Sequence, residues 1–234
     1  MSMARCIHQA ILAVFCTVCF AMCMSLGMGS DAFAAKVKAS NGPKLFDTME
    51  FKGKIKKLPK WSQVLAKMQS WKGYFQDPSM AGVSSKSGWI KLKSDLAGKS
   101  NMEKLKGVNR FFNQWPYRLD QDNYGMRDYW ANPREFLKKS GDCEDYAIAK
   151  FYALKELGFS GDSMRIVALK DRIRNIGHAV LAVYTDGDIF ILDNQTVMVL
   201  SHAKYKHYVP QYSVNEKYRW MHVPKKKKST YKKK

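Results

Sequence analysis

Ser140–Gly158 reads SGDCEDYAIAKFYALKELG. Ser140-Gly141 breaks the preceding structure, and Asp142 is of the type that caps free N–H groups at a helix start. Strong helix formers then continue to Leu157 without Gly or Pro, and Gly158 supplies the C-terminal cap. Tyr146, Ala147, Ile148 and Ala149 pack this helix into a core. One cysteine, Cys143, falls in its first turn.

Downstream, the pattern changes from helical to extended. Met164–Leu169, His178–Tyr184 and Ile189–Asp193 read as strands, with further strands at Val197–Leu200 and Tyr218–Val223. Asp186-Gly187 between two apolar runs is a favoured two-residue hairpin turn. That turn sets Thr185 opposite Asp188, Val180 opposite Asp193 and His178 opposite Gln195. Directly opposed residues share a side of the sheet, as do residues two apart. His178 and Asp193 are therefore diagonal neighbours on one face, about 7–8 Å apart at the backbone. A one-residue slip would place them on opposite faces.

Upstream, Trp61–Phe75 places Trp61, Val64, Leu65, Met68 and Trp71 at helical spacing. Residues 77–88 carry Pro, Gly and Ser and read as a loop. Helices are expected over Trp89–Leu96 and Met102–Trp115, the latter ended by Pro116. Asp120–Asn132 reads as a polar, aromatic surface loop. Arg134–Lys139 is a short helix with Pro133 at its first position. Residues 35–60 are Lys-rich, weakly patterned and expected to be extended. Helices, then one central helix, then antiparallel strands make an α+β plan.

The chain's ends carry signals of another kind. Arg5 and the apolar run from Ala10 to Leu26, followed by Ala32-Phe33-Ala34, form a secretory leader over residues 1–34, with cleavage before Ala35. An uncleaved anchor is the rival, since the run is only a little short of a membrane span. The folded domain is then residues 35–224, followed by a Lys-rich, disordered tail at 225–234. Net charge is +20, and seven of the last ten residues are lysines. Without the tail the body is still basic, which favours anionic partners. No aromatic-interleaved nucleic-acid motif accompanies the charge, so no nucleic acid is expected. Of five cysteines, Cys6, Cys16, Cys19 and Cys23 lie in the leader. Cys143 is left alone in the mature chain, unable to form an internal disulfide and, in an oxidising compartment, either buried or used.

Taken singly, Cys143, His178 and Asp193 have ordinary structural explanations. Together they supply a thiol at a helix start, where the dipole lowers its pKa, and a paired imidazole and carboxylate. Cys143 would attack, His178 would move the proton, and Asp193 would orient the ring. The Cys143 backbone N–H is a natural oxyanion donor. The carboxylates of Asp142, Glu144 and Asp145 oppose a thiolate unless a divalent cation cancels them, although favourable charge at a helix start would also explain them. Hard oxygens suit Ca²⁺. His202, His207 and His222 lack the spacing and cysteine partners of a zinc site.

Five segments carry a family resemblance: Gly107–Asn113, Asp128–Pro133, Gly141–Lys150, Gly177–Leu181 and Leu192–Asn194. Through them the chain resembles the bacterial transglutaminase-like cysteine proteinases of the LapG type. The resemblance implies a transglutaminase/papain-like core, with Cys143, His178 and Asp193 as the catalytic residues. It also implies a calcium site beside the nucleophile, with Asp142, Glu144 and Asp145 as ligands. Such proteins are periplasmic, cleave the N-terminal region of a large surface adhesin to control biofilm release, and are held by an inner-membrane cyclic di-GMP receptor. The lysine tail is outside that pattern. Two rivals remain open: acyl transfer to an amine, as in a transglutaminase or amidase, and a non-catalytic basic envelope-binding protein.

Overall fold

The computed structural model describes residues 43–55, 58–70 and 83–225. The expected leader, the lysine tail beyond Lys225, the end of the first expected helix and the start of the loop after it lie outside the described residues.

Helices come first along most of the chain: α1 (Pro59–Ser70), α2 (Val83–Asp95), α3 (Asn101–Phe112), α4 (Asp120–Tyr124), α5 (Pro133–Lys139) and α6 (Cys143–Glu156). The strands are β1 (Thr48–Lys54), which precedes the helices, β2 (Met164–Asp171), β3 (Ile176–Thr185), β4 (Asp188–Leu192), β5 (Leu200–Ser201), β6 (Tyr208–Val214) and β7 (Tyr218–Pro224). They form one antiparallel sheet in the order β1-β7-β6-β2-β3-β4-β5.

The central helix forms as its sequence predicts. Every residue from Asp145 to Leu154 is buried, so α6 is covered on all sides: α3 and α5 lie against it, and β2 and β3 pack on it too. It stops before Gly158, whose φ of +93° is the left-handed value that ends helices. Two other helices carry capping boxes, Ser100 with Glu103 on α3 and Asn132 with Glu135 on α5.

The β3–β4 hairpin has the expected register, with Thr185 opposite Asp188 and Leu181 opposite Leu192. Asp186 and Gly187 both take positive φ, 52° and 78°, as a primed turn demands. Both faces of the sheet are covered at its central strands. Leu181 and Val183 join the cluster built around α6, whereas Val180 and Ala182 join a second cluster closed by Leu45, Tyr205 and Tyr208.

Several expectations shift. The segment read as a loop up to residue 88 is helical from Val83, because Trp89 is buried against Phe111 and Phe112 and its indole N–H donates to Glu156 Oε2 at 3.0 Å. That tertiary anchor outweighs the weak helix propensity of the Ser- and Gly-containing run. The strand read at Val197–Leu200 is only Leu200–Ser201. Strand β6 went unpredicted, since its Tyr-rich sequence lacks a clean alternation. Asp120–Asn132 is no simple surface loop: it contains α4, and Asp120 is buried.

Candidate active site

Cys143 stands at the first position of α6, held there by its neighbours. Asp145 is fully buried, and its carboxylate accepts from the Ala131 N–H at 2.7 Å and the Asp142 N–H at 3.2 Å. The carboxylate folds back over Gly141, where any Cβ would collide with it. A glycine before Asp142 is therefore a packing requirement.

The Cys143 sulfur contacts Glu144 Oε2 at 3.2 Å, and the nearby Ala179 backbone favours the thiolate slightly. Ala179 directly follows His178 in β3. Helix α6 packs on the face carrying Leu181 and Val183, while His178 shares its side with Val180 and Ala182. The helix start thus reaches β3 next to the residue that bears the imidazole, with no hydrogen bond between the Cys143 sulfur and the ring among the described residues.

His178 and Asp193 are paired as the register requires. His178 Nε2 and Asp193 Oδ1 are 3.0 Å apart, both side chains almost wholly buried. Asp193 also accepts from the Gln195 N–H at 2.9 Å and the Tyr208 hydroxyl at 2.6 Å. Burial pushes the Asp193 carboxyl up, but the hydrogen bond and charge of His178, with Tyr208 and Gln195 behind them, outweigh it and leave the group below its ordinary range. Because Nε2 faces Asp193, Nδ1 is the nitrogen left for proton transfer. Tyr208 had no signal in the sequence, since it reaches Asp193 from the unpredicted β6.

The electrostatics around the thiol differ from the expectation drawn from the helix dipole alone. Burial, then the charges of Glu144 and Asp142, push the Cys143 thiol well above its ordinary value. Burial likewise raises Asp142 to about 9 and Asp120 to about 6, and lifts Glu144 and Asp145. A dipole at one helix end is a partial charge; desolvation with two nearby carboxylates is larger.

These acids converge. Oxygens of Asp120, Asp142 and Asp145 lie within 4.8 Å of one another, as do those of Asp120, Asp128 and Glu144, and Asp142 and Glu144 group similarly with the Cys143 sulfur. The Oδ1 atoms of Asp120 and Asp142 are buried without a hydrogen-bond partner. Orphaned, desolvated carboxylate oxygens at this density suit a hard divalent cation, and the all-oxygen set suits calcium. Of the ligands expected from the resemblance, Asp142 groups with Glu144 and, separately, with Asp145, whereas Glu144 and Asp145 share no group. Asp120 and Asp128 join them from the segment read as a surface loop; Asp120 was missed because its burial depends on α4 and on the Tyr129 N–H, which it accepts at 2.5 Å. Tyr117, about half exposed, also borders the thiol: burial and then the charge of Cys143 raise its phenol.

The model of the bacterial transglutaminase-like cysteine proteinase family matches residues 84–228. Among solved structures, LapG of Legionella pneumophila is similar at 30% identity and a TM-score of 0.54, over 68% of this chain and 86% of that one. Calcium-bound and EGTA-treated forms of the same protein match with the same identity and TM-score, covering 86% and 84% of their chains. No functionally curated protein matches. With the matched region spanning most of the helical part, α6 and nearly all of the sheet, this chain belongs to the bacterial transglutaminase-like cysteine proteinases.

Proposed function

We propose that this cysteine protease is a calcium-dependent endopeptidase of the periplasm, with Cys143 as nucleophile, His178 as general base and acid, and Asp193 as orienter. The observation that carries the reading is the 3.0 Å pair between His178 Nε2 and Asp193. It fixes the ring with Nδ1 turned away from the carboxylate, on the residue next to Ala179, whose backbone lies near the thiol.

In the forward step Nδ1 takes the thiol proton as sulfur adds to the scissile carbonyl. The developing oxyanion is met by the Cys143 N–H at the helix start. Nδ1 then gives its proton to the leaving amine, and the C–N bond breaks to leave a thioester. Water, deprotonated at Nδ1, adds to the thioester, and the thiolate leaves as the acid is released. Asp193 keeps Nε2 protonated and steadies the imidazolium throughout.

Calcium fits the residues present: Asp120 would hold it, with Asp142 and Asp145 or with Asp128 and Glu144. When bound, the ion supplies positive charge that cancels the carboxylates now raising the thiol's pKa.

By its similarity to the family, the proposed substrate is the N-terminal region of a large surface adhesin, whose cleavage would release cells from a biofilm. The proposed controlling partner is an inner-membrane receptor for cyclic di-GMP. The test is incubation of the mature protein with adhesin N-terminal fragments, with calcium or with EGTA, read by product mass. Cys143→Ala should abolish cleavage while leaving the fold intact. Cleavage that persists in this variant refutes the assignment, indifference to EGTA removes the metal, and cross-linked products point to acyl transfer instead.

A further inference from the structure

Lys150 is an anomaly in the core. It lies about two turns beyond Cys143 on α6 and is fully buried. An ammonium there costs several kcal/mol unless its charge is used, and a methionine would fill the same space without that cost. Its hydrogen bond goes to a neutral group, Asn109 Oδ1, at 2.8 Å, and its Nζ stands 5.6 Å from the centroid of the Tyr146 ring.

The contacts lead outward to the candidate site. Asn109 Nδ2 donates to the Thr196 carbonyl at 2.8 Å. Asn113, one turn further along α3, donates to the same carbonyl at 2.9 Å and to the Asp193 carbonyl at 2.8 Å. The turn leaving β4 is therefore pinned at both ends by two asparagines of α3, one of which is clamped by Lys150. Burial lowers the ammonium to about 7, and the charge that opposes this is that of Asp193.

We propose that Lys150 is a positioning residue for Asp193: through Asn109 it holds the Asp193–Thr196 turn, and so the carboxylate that His178 meets. This rests on the reading of Asp193 as the orienter of a catalytic histidine. The role is not visible from the motif around Cys143, because Asn109 meets Lys150 only through the packing of α3 on α6.

The test follows acylation of the calcium-loaded protein by p-nitrophenyl acetate, from about pH 4 to 8, with Cys143→Ala as background. Lys150→Met removes charge and hydrogen bond together; Lys150→Gln keeps a polar contact for Asn109 without the charge. Loosening the turn misplaces Asp193 beneath the ring, so Lys150→Met should lose about tenfold in plateau rate per folded molecule. Lys150→Gln, which keeps a partner for Asn109, should recover part of that loss. Melting temperature should hold or rise, since replacing a buried charge with an apolar group is often neutral or stabilising.

A methionine variant whose plateau rate matches wild type overturns the proposal. So does one that is less stable yet unchanged in rate per folded molecule. If Lys150→Met does not fold, Asn109→Asp takes its place: it is isosteric but has no donor for the Thr196 carbonyl, so the plateau rate should again fall, and an unmoved plateau overturns the proposal. Acylation in Cys143→Ala equal to wild type would instead refute the triad, which keeps the two failures apart.

Discussion

Tyr208→Phe isolates one hydrogen bond at the heart of the candidate site. The phenol donates to Asp193 Oδ2 at 2.6 Å, where Asp193 is 1% exposed. Phenylalanine keeps the ring that stacks on Tyr205 with centroids 5.0 Å apart, so packing is preserved. A buried hydrogen bond to a charged acceptor contributes about 1.5–3 kcal/mol. At about 1.36 kcal/mol per pKa unit, its loss raises the Asp193 carboxyl by roughly one to two units. The sign follows from linkage. Asp193 is depressed in the folded state, so its contribution is present above the unfolded carboxylate value and lost as pH falls through the lower folded one. The variant should therefore be less stable than wild type at neutral pH by about 1.5–3 kcal/mol, with the gap closing as pH falls below the ordinary carboxylate range. The acid limb of kcat/KM should move up by roughly one to two units as well, since kcat/KM reports the free enzyme's groups. Urea unfolding at several pH values gives the first quantity and a rate–pH profile the second. A stability loss below about 0.5 kcal/mol together with an unmoved limb would refute the claim that Tyr208 holds Asp193 ionised.

Other positions make separate demands. Gly141→Ala should destabilise the chain by about 2 kcal/mol or more, because its Cβ drives Asp145 off the Ala131 and Asp142 N–H groups; calorimetry that finds no change would mean the helix start has room. Adding calcium should raise the melting temperature, with about 2.7 kcal/mol of stabilisation at a concentration one hundred times Kd, and Asp120→Asn should weaken binding at least about tenfold by titration calorimetry. Because burial raises Asp120 to about 6 and Asp142 to about 9, protons compete for these oxygens and calcium affinity should fall as pH drops. His222, buried between Thr48 and Ser213, is held by burial near 4 against an ordinary 6.5. Its stabilising contribution is present above 6.5 and lost as pH falls toward 4, about 3 kcal/mol in all; His222→Gln should flatten that slope in a pH series of unfolding curves. Gly187→Ala forces a Cβ onto a φ of +78° and should cost about 1 kcal/mol without touching catalysis.

Much of this architecture is local, and local rules are legible in a sequence. Asp142, the helix formers after it and Gly158 define α6, because caps and propensities act within a turn or two of the chain. Asp186-Gly187 sets the register of β3 on β4, because a two-residue primed turn leaves no freedom to slip. From that register alone His178 and Asp193 fall on one face, and the Cys143 thiol falls at a helix start. What lay out of reach depended on segments distant in sequence. Asp120 enters the acidic cluster through the burial of α4, and Tyr208 reaches Asp193 from a strand with no periodic signal. Lys150 meets Asn109 across two helices. The elevation of the Cys143 thiol is likewise a property of the assembled site, since the helix dipole is written into the local chain while desolvation exists only once the surrounding elements have closed over it.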